Sequence, residues 1–389
     1  MKKVLIYFII TLVIALVGIG IHANINMKRR RDFLIFSFGL MILVASLRAP
    51  SVGIDLAGHY AKRFEQIVFY SWKDIPKFSA FSTYEIGYCY YCKFLSMINP
   101  NVQFYIFVTS LIVYGTMGYL IYKKSSDVIL STMLVIFSCQ YYMYMNIIRQ
   151  ALAVSVVLIG YIFLDKSKRS IFDYIKFTLF VLVASTFHDS AILCLVMIVF
   201  DKMKFKRRDI LLSGVITMIC YVVYSKLFVF VANLISNDNG SYVSYMEKAG
   251  ENVGNINLQS ITSLILTAGA FFIGAYVLIW KNRIYTDEND TDEIMIMDKY
   301  ESFLLYMGLL ATVCRLLIFK MNIINRFSYY FIPYIVLLYP YAIDQIAYVP
   351  NRKIIRMAVY FSYGLYFVWM TVSFADKFYG AVPYIPFWK

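Results

Sequence analysis

Charge is what this chain lacks most. Only 15% of its 389 residues are charged and only 23 are acidic, where an average soluble domain carries about 25% charged residues. Beside 61% hydrophobic residues, so little charge cannot furnish a water-facing surface. An ordinary soluble enzyme and a disordered chain are therefore excluded. Histidine is scarcer still. His22, His59 and His188 are the full set, too few for a histidine metal centre. Six cysteines are scattered through the chain, and Cys89 and Cys92 form one C-x-x-C with no second pair. That excludes a secreted disulfide scaffold and argues against a redox or zinc site. No Gly-rich phosphate loop, G-x-S-x-G elbow or H-E-x-x-H motif occurs. No internal repeat and no Pro/Gly/Ser-rich linker divides the chain.

What is present is apolar, aromatic and cationic. Mean hydropathy is +0.66, aromatics reach 18% and the net charge is +14. A bilayer core about 30 Å thick takes ~20 mostly apolar residues per helix. Twelve runs are candidates: Val4–Ile21, Phe33–Leu47, Val102–Tyr122, Val128–Met145, Ile147–Leu164, Ile171–Phe187, Ala191–Phe200, Ile210–Ile235, Leu258–Trp280, Tyr300–Phe319, Phe327–Gln345 and Ile354–Phe374. The second and seventh are short, which suits tilted or re-entrant segments. Met1–Ile21 lacks a small-residue cleavage site, and Lys28–Arg31 comes directly after it, so it reads as an uncleaved first helix. The expectation is an all-α, polytopic membrane bundle of about 12 transmembrane or re-entrant helices forming one integral domain over residues 1–389.

Basic clusters orient the bundle. Lys28–Arg31, Lys123-Lys124, Lys166/Lys168/Arg169, Lys202–Arg208 and Arg352/Lys353/Arg356 fall on one side under strict alternation. Short loops rich in Lys and Arg stay cytoplasmic. The acidic loop 281–299 shares that side. Both termini are then expected to face outward, as is the long amphipathic loop 48–101. Basic juxtamembrane loops with no nucleic-acid motif give no reason to expect nucleic-acid binding.

Polar residues that this pattern does not require gather on the outward side. They are Arg48, Asp55, Tyr60, Glu85, Asn146, Arg149, Gln150, His188, Asp189, Ser190, Arg315, Asn325, Arg326, Tyr329 and Tyr330. Ionisable groups at membrane depth are costly and usually line a cavity or pathway. Plainer readings stand beside each. Arg48 can snorkel, His188 can be a hydrogen-bonded loop residue, Glu85 can pair with Lys93 or Arg48, and Tyr329 and Tyr330 can belong to an aromatic belt. Taken together, arginine forks suit phosphate oxygens. A histidine or carboxylate suits a sugar hydroxyl's proton, and aromatic faces suit sugar rings and a polyprenyl tail. That set points to glycosyl transfer between lipid-linked saccharides.

The same residues carry a resemblance. Arg48 with Gly53-Ile54-Asp55 and Tyr60, Glu85-Ile86-Gly87-Tyr88, Met145-Asn146-Ile147-Ile148-Arg149-Gln150, Phe187-His188-Asp189-Ser190 and Asn325-Arg326-Phe327-Ser328-Tyr329-Tyr330 occur in that order. The chain resembles the EpsG-like family of exopolysaccharide polymerases, related to the Wzy polymerases of O-antigen and capsule synthesis. The likeness runs from about residue 45 to 331, and Val382-Pro383-Tyr384 is also similar. It implies a transferase of the bacterial inner membrane with an extracytoplasmic active site. The donor would be a glycan on polyprenyl pyrophosphate, with undecaprenyl the expected carrier, and the acceptor a lipid-linked repeat unit. A chain-length regulator and a flippase are the implied partners. On this reading His188 is the first choice as general base, with Asp55 second and Glu85 a further catalytic candidate. Arg149 and Arg326 hold the pyrophosphate with Arg48 and Arg315 assisting. Tyr60, Asn146, Gln150, Ser190, Asn325, Tyr329 and Tyr330 line the substrate site. No metal or cofactor is expected, because arginines can supply the positive charge. An O-antigen ligase-type transferase and a lipid-linked oligosaccharide transporter or flippase are the alternatives. A membrane-bound acyltransferase is a more distant one.

Overall fold

The computed structural model describes residues 4–165, 169–223, 257–283, 297–320, 324–374 and 379–389. The chain is all-helical, with 80% helix and no strand among the described residues. One isolated bridge pairs Arg48 with Pro386. In chain order the longer helices are α1 (Leu5–Gly20), α2 (Met27–Ser46), α3 (Ala61–Ile67), α4 (Ile75–Ser82), α5 (Ile86–Ile98), α6 (Val102–Lys124), α7 (Val128–Phe137), α8 (Gln140–Asn146), α9 (Ile148–Leu164), α10 (Ile171–Ser185), α11 (Val196–Lys202), α12 (Arg207–Val222), α13 (Leu258–Arg283), α14 (Lys299–Leu317), α15 (Asn325–Ser328), α16 (Ile332–Asp344) and α17 (Val349–Ser373).

Among the described residues three helices are long and apolar enough to cross a membrane: Val102–Lys124, Leu258–Ile279 and Lys299–Leu317. The bent pair α7–α8 makes a fourth if it counts as one span. Three to four candidate spans do not confirm the expected count of about 12. Several expected runs are interrupted. Val128–Met145 breaks into α7 and α8 at 55°, because Cys139 takes a left-handed φ of 62° that a helix cannot continue through. Phe327–Gln345 divides into α15 and α16 around the turn at Tyr329–Phe331, with Pro333 opening the second piece. Ala191–Phe200 begins as a 3-10 stretch, Asp189–Leu195, and becomes α-helical only at Val196. The second half of Ile210–Ile235, Lys166, Lys168 and most of the acidic loop 281–299 lie outside the described residues.

Side chains fix many helix starts. Asn26 caps α2 by accepting from the Arg29 N–H, and Asn101 caps α6 through the Gln103 N–H. Asp127 accepts from both Ile129 and Leu130 at the head of α7. Each satisfies donors that a helix start leaves open. Asn24 ties the α1–α2 turn to this last cap, donating to Asp127 at 2.6 Å and accepting from the Val128 N–H at 2.9 Å. Arg30 binds the Ser125 and Ser126 carbonyls beside it.

The described residues form two compact units. The first comprises Met1–Tyr161, Leu179–Ala191 and Tyr360–Lys389; the second comprises Ile162–Thr178 and Ile192–Val359. In the first, α2 packs along α6, with Phe38 against Gly118. Tyr7, Tyr114, Tyr141 and Tyr142 fill its interior, Tyr7 meeting Tyr142 edge-on at 4.7 Å. In the second, Leu338 of α16 nests against Gly274 of α13 and Gly308 of α14. Small residues of this kind let apolar helices approach closely. Lys281 and the Tyr341 hydroxyl both reach the buried Glu301, at 2.9 and 3.1 Å.

Candidate active site

The break between α8 and α9 organises the first unit's polar residues. Helix ends leave carbonyls and N–H groups without intrahelical partners, and such breaks are tolerated in apolar surroundings only where other groups meet them. Arg48, 2% exposed, does this for two helices. Its guanidinium donates to the Ala45 carbonyl in the last turn of α2 at 2.7 Å and to the Met145 carbonyl in the last turn of α8 at 3.0 Å. A cation suits both carbonyl ends. The plain snorkelling reading does not describe it, since snorkelling carries the charge to water.

The chain beyond Arg48 is clamped by the C-terminal tail. The Ala49 N–H donates to the Ile385 carbonyl, the Phe387 N–H to Leu47 and the Gly53 N–H to Gly380. Tyr7 and Tyr384 hydroxyls donate to the Ala381 and Val44 carbonyls. Gly53 sits at φ +114°, a conformation that L-residues with side chains avoid. From it the chain turns so that the Asp55 N–H donates to Asn146 Oδ1 at 2.7 Å. Asn146 is thus a ligand of the backbone here, while Asp55 is half-buried.

A π-helical turn, Leu56–Tyr60, then delivers Tyr60 to Arg149. Arg149 lies in the first turn of α9, where the helix dipole disfavours a cation. The Glu85 carboxylate offsets this by pairing with its Nη1. The Tyr84 ring lies under the guanidinium at 4.4 Å and the Tyr60 ring at 5.9 Å. Tyr60 Oη accepts a long contact from Nε, 3.5 Å. Glu85 therefore chooses Arg149 over Lys93 and Arg48. Lys93 instead donates to the Val68 carbonyl at the end of α3.

Gly87 explains how the His188 segment comes so close. A Cβ there would fall 2.0 Å from Thr186 Oγ1 and 2.9 Å from its carbonyl oxygen. The same carbonyl accepts the Tyr88 N–H at 3.1 Å. This contact sets Phe187–Ser190 against the start of α5. The His188 ring is buried, and its Nδ1 shares a 2.8 Å hydrogen bond with the Ser190 hydroxyl. Asp189 is half-buried, and its N–H donates to Glu85 Oε1 at 3.3 Å. Gln150, in the first turn of α9, is buried.

The first unit thus brings together Arg48, Asp55, Tyr60, Glu85, Asn146, Arg149, Gln150, His188 and Ser190 around the α8–α9 break and the Gly87 contact. The other expected residues belong to the second unit. Arg315, in the last turn of α14, donates to Asn325 Oδ1 at 2.6 Å. Asn325 donates in turn to the Tyr329 hydroxyl at 3.0 Å, and the Arg315 guanidinium lies 5.6 Å from the Tyr329 ring centre. Arg326 is half-buried in α15, and Tyr330 is buried beside Tyr329.

Two residues that carried no expected role stand out. Tyr84 underlies Arg149, and its only signal is adjacency to Glu85. Asp189 sits between His188 and Ser190 and faces the Arg149–Glu85 pair. Burial, then the Glu85 charge, pushes its carboxyl up to about 6 against the opposing pull of Arg149. Among the described residues no three His, Cys, Asp or Glu side chains gather as a metal-ligand set.

An all-helical chain with membrane-length apolar helices and an arginine–carboxylate cluster at a helix break is a membrane protein built around a charged site. The family model for EpsG matches residues 32–386. The chain belongs to the EpsG family, a family of Wzy-type exopolysaccharide polymerases. In the comparisons with curated proteins and with solved structures, nothing matches.

Proposed function

We propose that this polymerase transfers a glycan chain from polyprenyl pyrophosphate onto a lipid-linked repeat unit at the extracytoplasmic face of a bacterial inner membrane, with both termini outward. The family supports a polysaccharide polymerase role, and the charge pattern of the loops supports the orientation. The observation that carries the reading is Arg149. It stands at the N-terminal end of α9, where anions are favoured, and is held there by Glu85 and Tyr84. A guanidinium has five N–H donors. Glu85 and Tyr60 engage two of its nitrogens, and the remaining donors suit a phosphate oxygen.

In this reading Arg149 holds the pyrophosphate. As the glycosidic C–O bond breaks, negative charge grows on the leaving group. Donors fixed in a partly dry site stabilise that charge more than water does. Tyr60 and Tyr84 offer faces for sugar rings. Arg48 takes a positioning role, because it is 2% exposed and both of its Nη atoms donate to helix carbonyls. Undecaprenyl is the proposed carrier, and a flippase and a chain-length regulator are the proposed partners.

The test is polymer length in cells expressing Arg149→Ala at wild-type level. Loss of one fixed donor to a developing anion costs about 10²–10³-fold in rate by analogy with oxyanion sites, so long chains are expected to vanish and single lipid-linked repeats to accumulate. Wild-type chain lengths overturn the assignment. Long lipid-linked chains left unattached in a deletion strain indicate a ligase instead.

A further inference from the structure

The polymerase reading requires a base for the acceptor hydroxyl, and the choice of base rests on that reading. Four groups compete for the role: His188, Asp55, Glu85 and Asp189. Glu85 is committed on both oxygens, one to the Arg149 guanidinium and one to the Asp189 N–H. Both oxygens are thus already taken. The His188 ring is 6% exposed, with Nδ1 bonded to Ser190. Asp55 lies on the Gly53 loop, anchored through its backbone to Asn146.

Asp189 is set apart by its neighbours. Like Asp55 it is half-buried, but it lies beside the Arg149–Glu85 pair, in the 3-10 connection after α10 and outside the membrane-length helices. The groups that face it are Glu85 at the head of α5 and Arg149 in the first turn of α9, with Tyr60 and Tyr84 over that guanidinium. His188 and Ser190 flank it in the chain. One guanidinium therefore meets two carboxylates. Arg149 neutralises the nearer, Glu85, and leaves Asp189 beside an already paired acid.

We infer that Asp189 is the catalytic base of this site, taking the proton from the attacking hydroxyl of the lipid-linked acceptor. The acceptor O–H bond breaks and its proton passes to an Asp189 carboxylate oxygen. The acceptor oxygen forms the new bond to the donor's anomeric carbon. The bond from that carbon to the phosphate oxygen breaks, and its electron pair leaves with the polyprenyl pyrophosphate. Asp189 then returns the proton to water. A carboxyl raised to about 6 is still largely ionised at neutral pH and is a stronger base than an ordinary aspartate.

The experiment uses full-length protein in lipid nanodiscs and lipid-linked repeat units extracted from cells lacking it. Initial rates of chain growth are followed from pH 5 to 8. Asp189→Asn is expected to lower kcat by about 10²-fold or more, the usual reach of general base catalysis, with KM changed by only a few-fold. Asp189→Glu is expected to restore part of the rate. In wild type the acidic limb of kcat/KM is expected near 6, and that of kcat higher, because the bound pyrophosphate adds negative charge. Thermal stability of each variant separates misfolding from lost chemistry. An Asp189→Asn enzyme within about threefold of wild type, or one that keeps the acidic limb while His188→Gln loses it, overturns the inference and leaves the polymerase reading standing. A wild-type protein that extends no lipid-linked repeat overturns the polymerase reading, and the base with it.

Discussion

Arginines that look alike in the sequence separate by what they touch. Arg48 closes two helix ends, and charge-assisted bonds of this kind are worth about 1.5–3 kcal/mol each. Arg48→Ala and Arg48→Lys are therefore expected to lower thermal stability in detergent and cellular protein level. In the fraction that folds, KM for the lipid-linked donor is expected to stay at the wild-type value; a raised KM with unchanged stability would return Arg48 to the substrate site. Glu85 has a different signature. Its charge helps hold the Asp189 proton, so Glu85→Gln is expected to move the acidic limb of kcat/KM to lower pH. An unmoved or rising limb contradicts the coupling. Asp189 itself has a folded proton affinity above its unfolded one. Its contribution to stability is present below about pH 4 and is lost as pH rises through about 6. Asp189→Asn removes that loss. At pH 7 the variant is expected to melt no lower than wild type while its rate collapses, a combination that a merely structural role does not produce.

At the scale of elements, the site is a consequence of breaks. α8 ends at Asn146 and α9 begins at Ile148; the Met145 carbonyl left open there takes Arg48, and the Asn146 side chain takes the Asp55 N–H. The contact between α5 and the His188 segment depends on Gly87. Gly87→Ala would drive a methyl into Thr186, and overpacking of this kind costs about 1–3 kcal/mol. Loss of thermal stability together with a shifted acidic limb is expected. Thr186→Ser is not expected to rescue it, because the Thr186 carbonyl is part of the obstruction. Some of this was legible from residues alone. Asn146, Arg149 and Gln150 interrupt an apolar run and announce a break. The bend at Cys139 does not, since a left-handed cysteine in an apolar stretch changes no hydropathy. Arg48 was conspicuous as a charge, but its partner Met145 lies 97 residues away, and a backbone carbonyl leaves no trace in a sequence. Asp189 was visible among the acids yet was overshadowed by the histidine beside it. Its environment comes from Glu85 and Arg149, which only folding brings near.

At the scale of the molecule, composition pointed to a membrane protein, because so few charges cannot cover a soluble surface of this size, and the long apolar runs pointed to helices. Hydropathy located most helices but not which of them are spans, since length, breaks and burial decide that. The residue order that resembles EpsG-like polymerases agrees with the family match over residues 32–386. The tail from Tyr379 is part of the same design, for it hydrogen-bonds the segment from Leu47 to Ile54 that carries Arg48. Removing residues 380–389 is expected to abolish polymer in cells and lower protein stability together. Polymer of normal length from the truncated chain would show that the clamp is dispensable. The most direct measurement couples chain growth to leaving-group release: nanodisc-embedded protein supplied with lipid-linked repeats, with polymer length and free polyprenyl pyrophosphate measured in the same samples. One pyrophosphate released per transfer by wild type, and a rate about 10²-fold lower in Arg149→Ala, is the expected result. Pyrophosphate released without chain growth, or equal rates in wild type and Arg149→Ala, would contradict a polymerase that works through this arginine.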